Sequence, residues 1–148
     1  MMSQRKILVI EDIAYLRNDV LEMLRYEGYD VAGAENGTVG IKVVQEFMPD
    51  LIVCDIMMPG PDGYEVLETL RADPATRTIP FIFLTAKTDR LDVRRGMALG
   101  ANDYITKPFY SNELLDTIKA RLSEHDEYER IATKKVTQVT ESIATSLP

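Results

Sequence analysis

The sequence predicts an α/β protein: a doubly wound five-stranded parallel sheet flanked by helices on both faces. Two observations carry this reading. Five short apolar, β-rich runs alternate strictly with helical patterns over about 120 of the 148 residues, as parallel strands joined by helical crossovers do. The central runs are apolar without polar alternation, which is how strands covered on both faces read.

The first run is Lys6-Ile7-Leu8-Val9-Ile10. Ile13, Leu16, Val20, Met23 and Leu24 follow at three- and four-residue steps, a helix that Gly28 is placed to stop. The second run is Asp30-Val31-Ala32-Gly33-Ala34. Asn36-Gly37-Thr38 then turns into a helix carrying Ile41, Val44 and Phe47, punctuated by Pro49-Asp50. The third run, Leu51-Ile52-Val53-Cys54, stops at Asp55, and a loop rich in Pro and Gly leads to Asp62, placed to cap a helix with Val66, Leu67 and Leu70. The fourth run, Phe81-Ile82-Phe83-Leu84, ends at Thr85, and its helix spans about Asp89 to Leu99 with Gly100 closing it. The fifth, Tyr104-Ile105-Thr106, ends at Lys107-Pro108. Ser111 is placed to cap a last helix whose apolar face is Leu114, Leu115, Ile118 and Leu122.

Bulk properties exclude several classes. With 45% apolar and 28% charged residues the chain is expected to fold around one core. No apolar run approaches the roughly 20 residues that cross a bilayer, and Met1 to Lys6 carries no secretory signal. A cytoplasmic protein without a membrane partner is expected. The lone Cys54 allows no internal disulfide and reads as a small buried hydrophobe. A net charge of −7 and a pI near 4.8 oppose binding to a nucleic-acid backbone. His125 has no Cys or His at ligand spacing and reads as a surface residue.

Ligands of such sheets bind beyond the carboxyl ends of the strands. That rule selects Glu11 and Asp12 after the first run, Asp55 after the third, Thr85 after the fourth and Lys107 after the fifth. If the strands are parallel, three carboxylates, a hydroxyl and an ammonium converge. Close carboxylates repel, and a hard divalent ion such as Mg²⁺ relieves this. A carboxylate is also a nucleophile towards phosphorus. Phosphoryl transfer asks mainly for cations around the transferring oxygens, which Mg²⁺ and Lys107 would supply, while the Thr85 hydroxyl would donate to a phosphoryl oxygen. Plainer readings stand beside these. Asp55 serves as a cap for the loop, Glu11-Asp12 as a capping pair at a helix start, Thr85 as a β-branched strand residue, Tyr104 as static core, and Lys107 as a solvated charge.

Four stretches, in this order and at these strand ends, resemble the receiver domains of bacterial response regulators over about residues 5 to 124. They are Ile10-Glu11-Asp12, the run from Asp55 through Met57, Met58, Pro59 and Asp62 to Gly63, Leu84-Thr85-Ala86, and the run from Gly100 through Asp103, Tyr104 and Lys107 to Phe109. The resemblance implies a flavodoxin-like fold in a two-component phosphorelay. It makes Asp55 the phosphoacceptor for a phosphoryl group from the histidine of a kinase or phosphotransfer protein. It implies Mg²⁺ held by Asp12, Asp55 and the backbone carbonyl of Met57, with Glu11 acting through a water. Lys107 would pair with the phosphoryl group after a cis bond to Pro108, and Thr85 and Tyr104 would form a switch pair. Ala86 would keep the site open. The surface of the fourth helix, fifth strand and last helix would be the readout. Such a protein is a signalling receiver rather than an enzyme, catalysing only its own phosphorylation and dephosphorylation. Its phosphoryl lifetime would depend on side chains without a role in the transfer itself, such as those of Met57 and Lys87.

Other classes fit less well. A flavodoxin-like redox protein would want a phosphate-cradling loop after the first strand, where Glu11-Asp12 would repel phosphate without Mg²⁺. Aspartate-nucleophile phosphatases carry an Asp-x-Asp motif on an early strand, which is missing. A pure interaction module would not need the full motif set.

Residues 1–124 are thus expected to form the receiver domain and 125–148 a helical tail or linker. Leu115, Ile118, Leu122, His125, Glu129, Ala132, Val136, Val139 and Ile143 follow heptad-like steps, with His125 and Glu129 breaking the apolar pattern. Two readings stand: a dimerising or signal-transmitting coiled coil, or a frayed amphipathic extension, since Thr133, Thr137, Thr140 and Thr145 are poor helix formers. A homodimer would use this helix or the fourth helix–fifth strand–last helix face. Ser146-Leu147-Pro148 resembles the segment ahead of a sensor kinase's phosphoacceptor histidine motif.

Overall fold

A computed structural model of the chain describes residues 4–86 and 90–146. Lys87, Asp89 and Leu147-Pro148, invoked above, lie outside the described residues.

The five strands are β1 (Lys6–Ile10), β2 (Asp30–Ala34), β3 (Leu51–Cys54), β4 (Phe81–Thr85) and β5 (Asp103–Thr106). They form one sheet in the order β2-β1-β3-β4-β5, every pairing parallel. The helices are α1 (Ala14–Tyr26), α2 (Gly37–Phe47), α3 (Gly63–Ala72), α4 (Arg90–Ala98) and α5 (Ser111–Ser146). Alternate residues of β1 face opposite layers. Leu8 and Ile10 join Val44, Leu67 and Leu70 of α2 and α3, while Ile7 and Val9 join Val20, Leu24, Leu114 and Ile118 of α1 and α5. The sheet is therefore covered on both faces, as its unbroken apolar strands require.

Strand bounds match the apolar runs, with β4 including Thr85 and β5 beginning one residue early at Asp103. Caps set two helix starts. The Asn36 side chain accepts from Val39 N, and Asp62 and Glu65 form a reciprocal capping box at α3. Two candidate caps differ. α1 is preceded by Ile13 with no side-chain cap bond, so Glu11-Asp12 is not a capping pair. At α5, Ser111 is already helical and the Tyr110 carbonyl accepts from Glu113 N and Leu114 N. Gly100, at φ +105°, takes the left-handed conformation that ends α4.

α5 runs unbroken across the expected boundary at residue 124. Its first part, through Leu122, is docked on the sheet, while Val136, Val139 and Ile143 are exposed. The Thr140 hydroxyl bonds back to the Val136 carbonyl, so threonine here is accommodated within the helix. The Arg5 guanidinium donates two bonds to the Asp126 carboxylate, at 2.9 and 3.0 Å, tying the chain just ahead of β1 to α5.

Candidate functional site at the carboxyl ends of the strands

Parallel register brings the site together. Ile10 pairs with Cys54 and Cys54 with Phe83, so the residues after β1 and β3 and the end of β4 stand side by side. Asp55 N donates to the Ile10 carbonyl at 3.0 Å, and Lys107 N to the Thr85 carbonyl at 2.8 Å. Asp55, Glu11 and Thr85 are all buried. The bond between Lys107 and Pro108 is cis, as the resemblance implies.

Lys107 Nζ reaches both Glu11 Oε1, at 2.5 Å, and Asp55 Oδ2, at 3.1 Å. Met57 N makes a longer contact to Asp55 Oδ1, 3.4 Å. Carboxylate oxygens of Glu11, Asp12 and Asp55 lie within 4.8 Å of one another. Burial pushes the Glu11 carboxyl up to about 7, and the neighbouring Asp55 adds to this against the opposing Lys107 bond. Burial acts to lower Lys107, but its bond to Glu11 and the charge of Asp55 outweigh that and raise it.

One ammonium does not satisfy three carboxylates. Glu11 Oε2 and Asp12 Oδ1 are buried with no hydrogen-bond partner among the described residues. Orphaned acceptor oxygens in a tight carboxylate cluster are what a hard oxygen-seeking cation would complete. The donor set therefore fits a divalent ion.

Thr85 and Tyr104 share one face of the sheet. Phe83 pairs with Tyr104 and Thr85 with Thr106, so Thr85 is the diagonal neighbour of Tyr104. The half-buried Tyr104 ring meets Phe83 edge-on at 6.3 Å, and Phe83 meets the buried Tyr64 at 5.4 Å. Burial pushes the Tyr104 hydroxyl up to about 12. Met57 is exposed and Met58 is core, and Ala86 lies at the exposed rim.

Three supporting residues escaped the sequence reading. Arg17 Nη1 donates to the Glu11 carbonyl at 2.7 Å and holds the acidic turn. Tyr64 Oη donates to the Asp92 carbonyl, with the Arg95 guanidinium 4.3 Å over its ring, joining α3 to α4. Arg71 donates to the carbonyls of Gly100 and Ile79 and to Asn102 Oδ1, linking α3 to the end of α4. The chemistry at Arg17 and Tyr64 lies in a backbone carbonyl as partner, which leaves no side-chain pattern to read.

A parallel sheet covered on both faces, with buried acids and a lysine at its carboxyl edge, places the chain among the doubly wound α/β domains that carry their site at the strand ends. The chain belongs to the response regulator receiver domain family, whose profile matches residues 7–119. It is 43% identical over 124 residues to the DNA-binding response regulator MtrA of Mycolicibacterium paratuberculosis, a match covering 84% of this chain and 54% of that protein. The MtrA of Mycolicibacterium smegmatis is 40% identical over the same length. The chain thus spans about half the length of the curated relatives it matches. Among solved structures, a putative response regulator from Chloroflexus aurantiacus superposes with a TM-score of 0.78 at 33% identity, covering 82% of this chain and 99% of that one. The signal receiver domain of a signal transduction histidine kinase from Syntrophus aciditrophicus gives 0.75 at 36%, covering 81% and 91%. Receiver domains of this family take a phosphoryl group on an aspartate in two-component signalling.

Proposed function

We propose that Asp55 is the phosphoacceptor of this receiver, with Asp12, Asp55 and the Met57 carbonyl as Mg²⁺ ligands and Glu11 acting through a water. The observation that carries the reading is the junction of Asp55 with Lys107 beside two orphaned acid oxygens. When bound, Mg²⁺ supplies positive charge to the carboxylates and to the oxygens of a transferring phosphoryl group. An Asp55 oxygen attacks phosphorus, the bond from phosphorus to the donor's imidazole nitrogen breaks, and that nitrogen keeps the electron pair and takes a proton. Lys107 then has two anionic claimants, Glu11 and the new phosphoryl group. Charge-assisted bonds from Lys107 and Thr85 to that group favour one of two states of the domain, with Tyr104 turning into the space Thr85 leaves.

The partner is a histidine kinase or phosphotransfer protein, and the readout is the face of α4, β5 and α5. Residues 1–124 are the receiver and 125–148 a tail. The chain acts as a signalling receiver rather than an enzyme, catalysing only its own phosphorylation and dephosphorylation. The DNA binding in the relatives' names belongs to proteins of which the match covers 54%, and the net charge of −7 speaks against a nucleic-acid partner for this segment. None of the described helices is long and apolar enough to cross a membrane.

Incubation with acetyl phosphate and Mg²⁺, read by intact mass, tests the proposal. One added phosphoryl group is expected, absent in Asp55→Asn. Unchanged mass in the folded, Mg²⁺-loaded protein would overturn it.

A further inference from the structure

We infer that residues 125–146 wind around the same segment of a second copy of this chain as a parallel, in-register, two-stranded coiled coil. The seam begins inside the domain. Ile118 and Leu122 are buried against the sheet, and the same alternation of three- and four-residue steps continues through His125, Glu129, Ala132, Val136, Val139 and Ile143. Past the docked part the apolar members lose their cover: Val136 is 66%, Val139 59% and Ile143 57% exposed. A strict seven-residue repeat drifts around a straight helix, so the surface that buries it along its length is another helix coiling with it. An identical seam is self-complementary, which makes the second copy the occupant. The stretch is roughly 33 Å long at 1.5 Å per residue. Its contact falls at the low end of specific interfaces, so the association is reversible.

Charge and layer matching select the orientation. In parallel register each apolar layer meets its own kind, and the two polar layers lie together at the domain end. There the His125 ring is already 3.5 Å from Glu129 of its own helix. Flanking positions bring Tyr128 opposite Thr133 and Lys135 opposite Thr140, and the one like-charge layer, Glu129 against its own copy, lies next to the His125 layer. The antiparallel register over the same stretch sets Glu129 against Val139 and His125 against Ile143, and stands Lys135 beside its own copy. β-branched Val136 and Ile143 occupy the layer positions that favour two strands.

Cysteine crosslinking in the full chain distinguishes the arrangements, because the native Cys54 is buried. Val136→Cys and Ala132→Cys are each expected to form their own disulfide-linked dimer under mild oxidation. In sedimentation across a concentration series the unmodified chain is expected to show a monomer–dimer equilibrium. Val136→Glu is expected to raise its dissociation constant at least tenfold without changing the receiver's thermal transition. Three results would overturn the inference: a monomer at every concentration with no disulfide, a disulfide only in the mixture of the two cysteine variants, or a Val136→Glu chain that dimerises as before. None of these readouts involves phosphoryl transfer, so their failure leaves the reading of Asp55 standing.

Discussion

Lys107 holds Glu11 and Asp55 together, yet Glu11 remains a costly charge where it sits. Its carboxyl, raised to about 7 by burial, keeps a proton in the folded state that the unfolded chain releases near the ordinary 4.5. Between those values the folded protein binds more protons, so stability falls as pH rises through the window. The metal-free protein is therefore expected to melt at a lower temperature at pH 8 than at pH 5.5, and Glu11→Gln to flatten that slope. A slope unchanged by Glu11→Gln, measured by calorimetry in a chelator, would contradict the cost assigned to its burial. At this scale the sequence was legible where residue type at a strand end is itself the chemistry: Glu11, Asp12, Asp55, Thr85 and Lys107 were named and all lie at one edge. Arg17 was not, because its partner is a carbonyl that any residue would offer.

The loop between β3 and α3 is shaped by a close approach. Gly63 N donates to the Ile56 carbonyl at 2.8 Å, and a side chain at Gly63 would press on the Asp55 carbonyl oxygen and come within 2.7 Å of the Ile56 Cα. Both neighbours are backbone and belong to the site. Gly63→Ala is expected to destabilise the fold by about 1–3 kcal/mol and to slow modification of Asp55, checked by denaturant titration and an intact-mass time course. Wild-type stability with wild-type kinetics would mean the loop can shift freely. The elements themselves were legible because apolar runs, Asn36 and Asp62 mark their bounds through bonds the side chains make. The plainer reading of Glu11-Asp12 as a capping pair does not hold, because those carboxylates lie in the acidic cluster and Ile13 precedes α1.

Across the whole molecule, two apolar layers share one sheet, so damage to either is felt by both. Ile118 is fully buried between α5 and the strands. Ile118→Ala is expected to cost about 2–5 kcal/mol and to lower one cooperative transition rather than split it, as thermal unfolding followed by circular dichroism would show. Two separated transitions would mean the layers fold apart. The layering was legible from strand composition. The direction in which α5 leaves the domain was not, because it is set by packing between distant parts of the chain, with Leu114, Ile118 and Leu122 seated on the sheet and Arg5 meeting Asp126 across nearly the whole sequence. The end of the docked part, beside that pair, makes a fulcrum. From Asp126 to residue 146 the helix extends about 30 Å at 1.5 Å per residue, so a tilt of about 5° in the docked part would sweep its far end through about 2.6 Å. A slight rocking of α5 on the sheet, too small to disturb the layer beneath it, would be magnified into a displacement as large as a side chain.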